Sequence, residues 1–185
     1  MKKTFFALMC CSVSVCFASE IDVAPFREAV KTFGGNLKSE LETAMKSGGA
    51  LAAIAVCNSK APIITEEHAQ KLGWKMGRTS LKVRNSKNAP DQWESQVLQQ
   101  FEQRKANGED PTKIEHSEII KNADGSQTIR YMKAAPTAEA CLGCHGDSLK
   151  PEVASKIKEL YPEDKAIGFK VGDLRGAFSI SQPVK

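Results

Sequence analysis

The chain has 185 residues, about one domain's worth. With 41% hydrophobic and 26% charged residues, it is neither a wholly disordered chain, nor a collagen-like fibre, nor a polytopic membrane protein. The net charge of +4 comes from 26 basic and 22 acidic residues with no concentrated basic stripe, so no nucleic-acid partner is expected.

Residues 1–18 read as a secretory signal peptide. Lys2 and Lys3 form a short basic start, Thr4 to Phe17 is apolar apart from Thr4, Ser12 and Ser14, and Ala18 precedes polar sequence. The apolar run is too short to cross a bilayer, which takes ~20 residues. Cleavage after Ala18 predicts a periplasmic protein with no membrane span and a single mature domain over 19–185. In Val13-Ser14-Val15-Cys16 a bulky valine stands where a small residue would precede a lipidated cysteine, so lipidation at Cys16 is not expected.

A long N-terminal helix follows. Phe26, Val30, Phe33, Leu37, Leu41 and Ala44 recur at steps of three and four, and Gly48-Gly49 reads as its stop. Ala50 to Val56 is small and apolar up to Cys57. Ala61-Pro62 interrupts, and Ile63 to Leu72 predicts a short helix ending at Gly73. Trp74 to Asn88 predicts a strand and then a basic loop. The next helix begins near Asn88 or Ala89 with Pro90 in its first turn, buries Trp93, Val97, Leu98 and Phe101, and ends at Gly108. Ile114 to Lys121 and Gln127 to Ala134 predict a hairpin around Asp124-Gly125. Pro151 to Tyr161 predicts a helix, and Ala166 to Val171 and Gly176 to Gln182 two strands turned by Gly172-Asp173. This order argues for an α+β domain, an antiparallel sheet with helices on one side.

Three cysteines, Cys57, Cys141 and Cys144, lie beyond the signal segment. Cys141-Leu142-Gly143-Cys144-His145 has the spacing of c-type haem attachment: each thiol can add across a haem vinyl group, and the histidine then reaches the iron. One covalent haem c is the expected cofactor. A thioredoxin-like dithiol usually follows an early strand in a βαβ pattern, which is absent here. A structural zinc site needs further ligands. For the second axial position the candidates are Met45, Met76, Met132, His68, His116 and Cys57. Met45 and Met132 read as core filler, and His68 and His116, in polar company, as surface residues. Cys57 ends an apolar run and has no cysteine left to pair with; its other reading is an inert buried thiol.

Several segments together resemble one family. They are Ala55-Val56-Cys57 with Lys60-Ala61-Pro62, Gly77 to Asn85, Ala89 to Glu94, Arg130 to Ala134, Cys141 to Gly146, Leu160-Tyr161-Pro162 and Gly172 to Ala177. The chain is similar in these to the exported c-type haem proteins of PAS-like fold, a family with a soluble cyanobacterial haem protein as its characterised member. Ser86-Lys87 departs from the family's usual proline and small or polar residue. The resemblance implies a PAS-like fold, an antiparallel sheet flanked by helices, and one haem held between His145 and Cys57. Arg78 and Arg84 are then candidate partners for the haem propionates, with solvated loop arginines as the alternative.

Histidine and thiolate together favour ferric iron and a low potential. The leading expectation is a periplasmic monohaem protein, a redox sensor or electron carrier rather than an enzyme. No kinase or methyl-accepting segment is read in this sequence, so a sensor would act through a redox or signalling partner. A peroxidase-like haem enzyme and a non-haem thiol or zinc module are the alternatives.

Overall fold

The computed structural model describes residues 21–184; the expected signal peptide and Cys16 lie outside them. Helix α1 spans Ala24–Leu72, broken where Gly48 and Gly49 leave helical geometry, Gly49 with φ +65°. The chain reverses there. Asn36 Nδ2 lies 2.9 Å from His68 Nε2, and Lys60 Nζ lies 2.8 Å from Glu40 Oε2. In one straight helix Asn36 and His68 would be about 48 Å apart, so the two arms run back along each other. Pro62, expected to interrupt, lies inside the second arm without ending it. Ala53, Ile54 and Ala61 are buried on that arm, and packing along a whole face outweighs one lost backbone hydrogen bond.

Strand β1 is Lys75–Thr79, helix α2 Gln92–Ala106, β2 Glu115–Lys121 and β3 Gln127–Pro136. Helix α2 starts later than expected, because Asp91 and Glu94 form a reciprocal capping box and Pro90 stays outside. The one-turn helix α3 is Leu142–His145, α4 is Pro151–Leu160 and β4 is Leu174–Pro183. The expected strand over 166–171 is not one. That stretch is irregular, and its backbone bonds to the segment around His145 instead.

The sheet is antiparallel, with strand order β1-β4-β3-β2. Its two faces carry separate cores, which corrects the expectation of helices on one side. Tyr131 and Ile180 pair in register and pack beneath Phe26, Ala29 and Val30 of the first α1 arm. One residue along, Met132 and Ala134 face the other way and meet Val97, Leu98 and Phe101 of α2. Both faces are apolar at the centre, so β3 and β4 alternate between two cores rather than between core and water.

A third cluster joins the second α1 arm to the far end of the molecule. Ile54 packs with Val153, Ile157 and Tyr161, and Cys144 lies against the same cluster. By length and composition alone α1 could cross a membrane; here its two arms lie on the sheet and on α4.

Candidate functional site

Cys141 and Cys144 carry free thiols, each partly exposed. They sit at the end of the 3-10 turn Glu139–Cys141 and within α3. A short helix delivers His145 next, and its Nδ1 lies 2.8 Å from the carbonyl oxygen of Ala166. That oxygen can only accept, so Nδ1 carries the proton and Nε2 is the nitrogen left to bind a metal. Burial pushes the imidazole down to about 3, with Arg175 and Arg84 adding to the shift. His145 is therefore neutral at ordinary pH.

The irregular stretch after α4 clamps this histidine. Phe169 N donates to His145 O at 2.9 Å, Gly168 N to Gly146 O at 3.0 Å, and the Phe169 ring stands edge-on to the imidazole, 6.2 Å between centroids. A strand there would turn these groups to a neighbouring strand, which is why the segment leaves the sheet.

Arg84 ties three segments together. Its Nε lies 3.1 Å from Asp164 Oδ1, and its Nη2 reaches Asp164 Oδ2 at 3.2 Å, Cys144 O at 2.6 Å and Ala166 O at 3.1 Å. The sequence offered Arg84 as a propionate partner, but its Nε and Nη2 are already committed to a carboxylate and two carbonyls. Arg78, the other candidate, has no hydrogen bond or ion pair among the described residues.

Cys57 comes to the same place from the second α1 arm. It lies one helical turn after Ile54, whose cluster includes Cys144. Burial pushes the Cys57 thiol up, while Arg78, Arg84 and Arg175 pull the other way. Arg84 and Arg175 bear on both Cys57 and His145, and Cys57 bears on Cys144 and Tyr161. Segments distant in the chain thus gather in one arginine-rich region, Cys57 acting on Cys144 and sharing Arg84 and Arg175 with His145.

The other axial candidates go elsewhere. Met132 is fully buried under α2, as expected of core filler, whereas Met45 is 46% exposed on the hairpin arm and is not core. Met76 packs against the α1 face of the sheet. His68 bonds to Asn36, and His116 stands beside Trp93, 5.8 Å between ring centroids. Among the described residues no group of three or more His, Cys, Asp or Glu is placed to hold a metal ion by itself, so a zinc site lacks its ligands.

Arg175 is the site residue that sequence reasoning missed. The register between β3 and β4 slips at Ala135/Pro136, and Gly176 takes φ +154° where a Cβ would stand 2.2 Å from Thr79 O. This break in alternation lets Leu174 and Ala177 share the α2 core. Arg175 then lies with its Nε 3.2 Å from His145 Nδ1 and 3.4 Å from Nε2. The only local signal for it was the glycine that follows.

A family model, Tll0287-like, matches residues 18–183. The chain belongs to the Tll0287-like family. The crystal structure of the cyanobacterial haem protein Tll0287 is similar at a TM-score of 0.67 and 24% identity, covering 89% of this chain and 96% of that one; that likeness shows a shared fold. No match among curated proteins was found. This Tll0287-like chain gathers the two thiols of the attachment segment, the His145 imidazole, the Cys57 thiol and three arginines in one region. These are groups whose chemistry fits a haem: thiols, an imidazole nitrogen and cations that could meet its carboxylates.

Proposed function

We propose that the chain is an exported, periplasmic monohaem c-type protein of PAS-like fold, acting as a redox sensor or electron carrier. Cys141 and Cys144 would anchor the haem, and His145 Nε2 and Cys57 Sγ would hold its iron. The observation that carries this reading is the meeting of Cys57 with the attachment segment. A generic haem motif says nothing about the opposite ligand, and here a thiol from α1 lies one helical turn from the Ile54 cluster that Cys144 joins, with Arg84 and Arg175 acting on both Cys57 and His145. The family match adds support, since Tll0287 itself is a haem protein.

A bound haem supplies one-electron iron chemistry. With His145 and Cys57 both holding the iron, no position would remain for a substrate, which favours electron transfer or sensing over catalysis. Ala166 O holds His145 in the tautomer that binds, and Arg84 fixes the loop carrying it. Burial and three guanidiniums act in opposite directions on the Cys57 proton, so its ionisation responds to the charge of the pocket, the property a redox sensor needs.

The test is the visible spectrum of protein matured with haem-attachment machinery, ferric and ferrous, with haem staining after denaturing electrophoresis. The expected result is covalently retained haem with a low-spin ferric spectrum, and loss of retention when Cys141 and Cys144 are both replaced by Ser. Colourless folded protein under haem-replete conditions overturns the reading. High-spin ferric iron overturns the non-enzymatic part of it and favours a peroxidase-like protein.

A further inference from the structure

The pocket holds more positive charge than its own side chains neutralise. Three guanidiniums act on Cys57 and two of them on His145, and Asp164, a carboxylate beside them, is fully engaged by Arg84 at 3.1 Å and 3.2 Å. Arg78 and Arg175 have no carboxylate partner among the described residues. Arg175 has only Lys82 O at 3.3 Å from Nη1 and the His145 ring beside Nε, leaving Nη2 without an acceptor.

Neither arginine is a solvated surface group. Arg78 is on β1, opposite Phe178 in register, and lines a cavity of about 140 Å³ with Cys57, Leu41 and Phe178; Lys38 and Glu40 line it too, the Glu40 carboxylate being held by Lys60 at 2.8 Å. Arg175 is on β4, with its guanidinium 5.4 Å from the centre of the Phe169 ring. Burial lowers both, Arg175 to about 10 with Arg84 and Arg78 adding repulsion, so both remain charged near neutral pH. A guanidinium does not escape burial by shedding its proton. Two unpaired cations in a partly closed site are unfavourable unless anions meet them.

We propose that Arg78 and Arg175 are a receptor for a dianion, the two propionate carboxylates of the haem, and that Arg84 has no part in it. This rests on the haem reading above and gives it a charge balance. Two guanidiniums match two carboxylates, and the Cys57 thiolate offsets the net charge of ferric porphyrin. Each guanidinium fork can hold a carboxylate with two parallel hydrogen bonds.

The experiment uses matured full-length protein with Arg78→Gln, Arg175→Gln and the two corresponding Lys variants. The thioether bonds keep the haem in place whatever the arginines do. Resonance Raman then reads the propionate bending band, which moves when a carboxylate loses its hydrogen bonds, and a redox titration reads the midpoint potential. The expected result is a shifted propionate band in each Gln variant and a lower potential, because removing a cation disfavours the added electron. The Lys variants keep the charge but lose the fork, so they shift the band while the potential stays near wild type. An unmoved propionate band in haem-bearing Arg78→Gln and Lys, or in the Arg175 pair, overturns the assignment for that residue. Absence of haem from the wild type would instead overturn the reading beneath it.

Discussion

Arg84 is the side chain on which the attachment segment rests. Its side chain is 10% exposed and that of Asp164 9%, and breaking such a pair strands a buried carboxylate as well as two carbonyls. Arg84→Ala should therefore cost about 3–5 kcal/mol, measured by urea unfolding, and the yield of covalently loaded protein should fall with it. Cys57 is the residue whose replacement tests chemistry rather than folding. On the proposed ligation, ferric wild type should give a low-spin electron paramagnetic resonance signal with the narrow spread of histidine–thiolate iron. Cys57→Ser should remove that signal. It should also raise the midpoint potential, each ~59 mV being ~1.4 kcal/mol for one electron. An unchanged signal and potential would return Cys57 to an inert thiol, with Met132, buried under α2, the next ligand to examine.

Elements hold by their ends as much as by their faces. Asp91 Oδ1 accepts from Glu94 N at 2.8 Å, Glu94 Oε2 accepts from Asp91 N at 3.0 Å, and Asp91 Oδ2 meets Arg130 Nη1 at 2.6 Å. Helix α2 covers one face of the sheet, so fraying its start exposes the Val97 and Leu98 core. Asp91→Ala should destabilise the protein by ~1–2 kcal/mol, whereas Asp91→Asn, which can still cap, should lose less; thermal unfolding separates the two. At the other end of the scale of tolerance is Gly176. Its φ of +154° and the approach of Thr79 O leave no room for a side chain, and the irregular start of β4 depends on it. Helix α1 shows that a turn can be set by two residues: Gly48-Gly49 reverses it, whereas Pro62 alone does not end it.

At the scale of the molecule, one polar cluster locks the first α1 arm to the sheet. Arg27 Nε lies 3.0 Å from Glu115 Oε1, and Tyr131 Oη donates to Glu115 Oε2 at 2.8 Å. The Arg27 hydrogen bond holds the Glu115 carboxyl down to about 2, helped by Tyr131 and Lys133 against the opposing effect of burial. A carboxylate whose folded value lies below its unfolded one adds stability that is complete above the ordinary value, near 4.5, and is lost as pH falls toward about 2. Stability should therefore decline with acid across that window, and Glu115→Gln should flatten the decline. Unfolding midpoints from pH 6 downward check this, and a Glu115→Gln profile as steep as wild type would refute it.

What the sequence determined by itself was local. The CxxCH spacing, the apolar face of α2, the β2–β3 hairpin with its Asp-Gly turn and helix α4 all rest on residues within a few positions of one another, where periodicity and turn chemistry act. The sequence also singled out Cys57, because an odd thiol after an apolar run stands out without any contact map. Tertiary structure decided the rest. The two apolar faces of the sheet look alike in sequence, since alternation between two cores reads like burial of one, and only docking of α1 and α2 on opposite sides tells them apart. Residues 166–171 have strand-like composition, but the bonds of Ala166, Gly168 and Phe169 to the histidine segment hold them out of the sheet. Arg84 and Arg175 are distant in the chain and alike in chemistry. One is spent on Asp164 and the other left beside His145 because a register slip at β4 turns the second toward the pocket, and no local signal states where a guanidinium will find its partner.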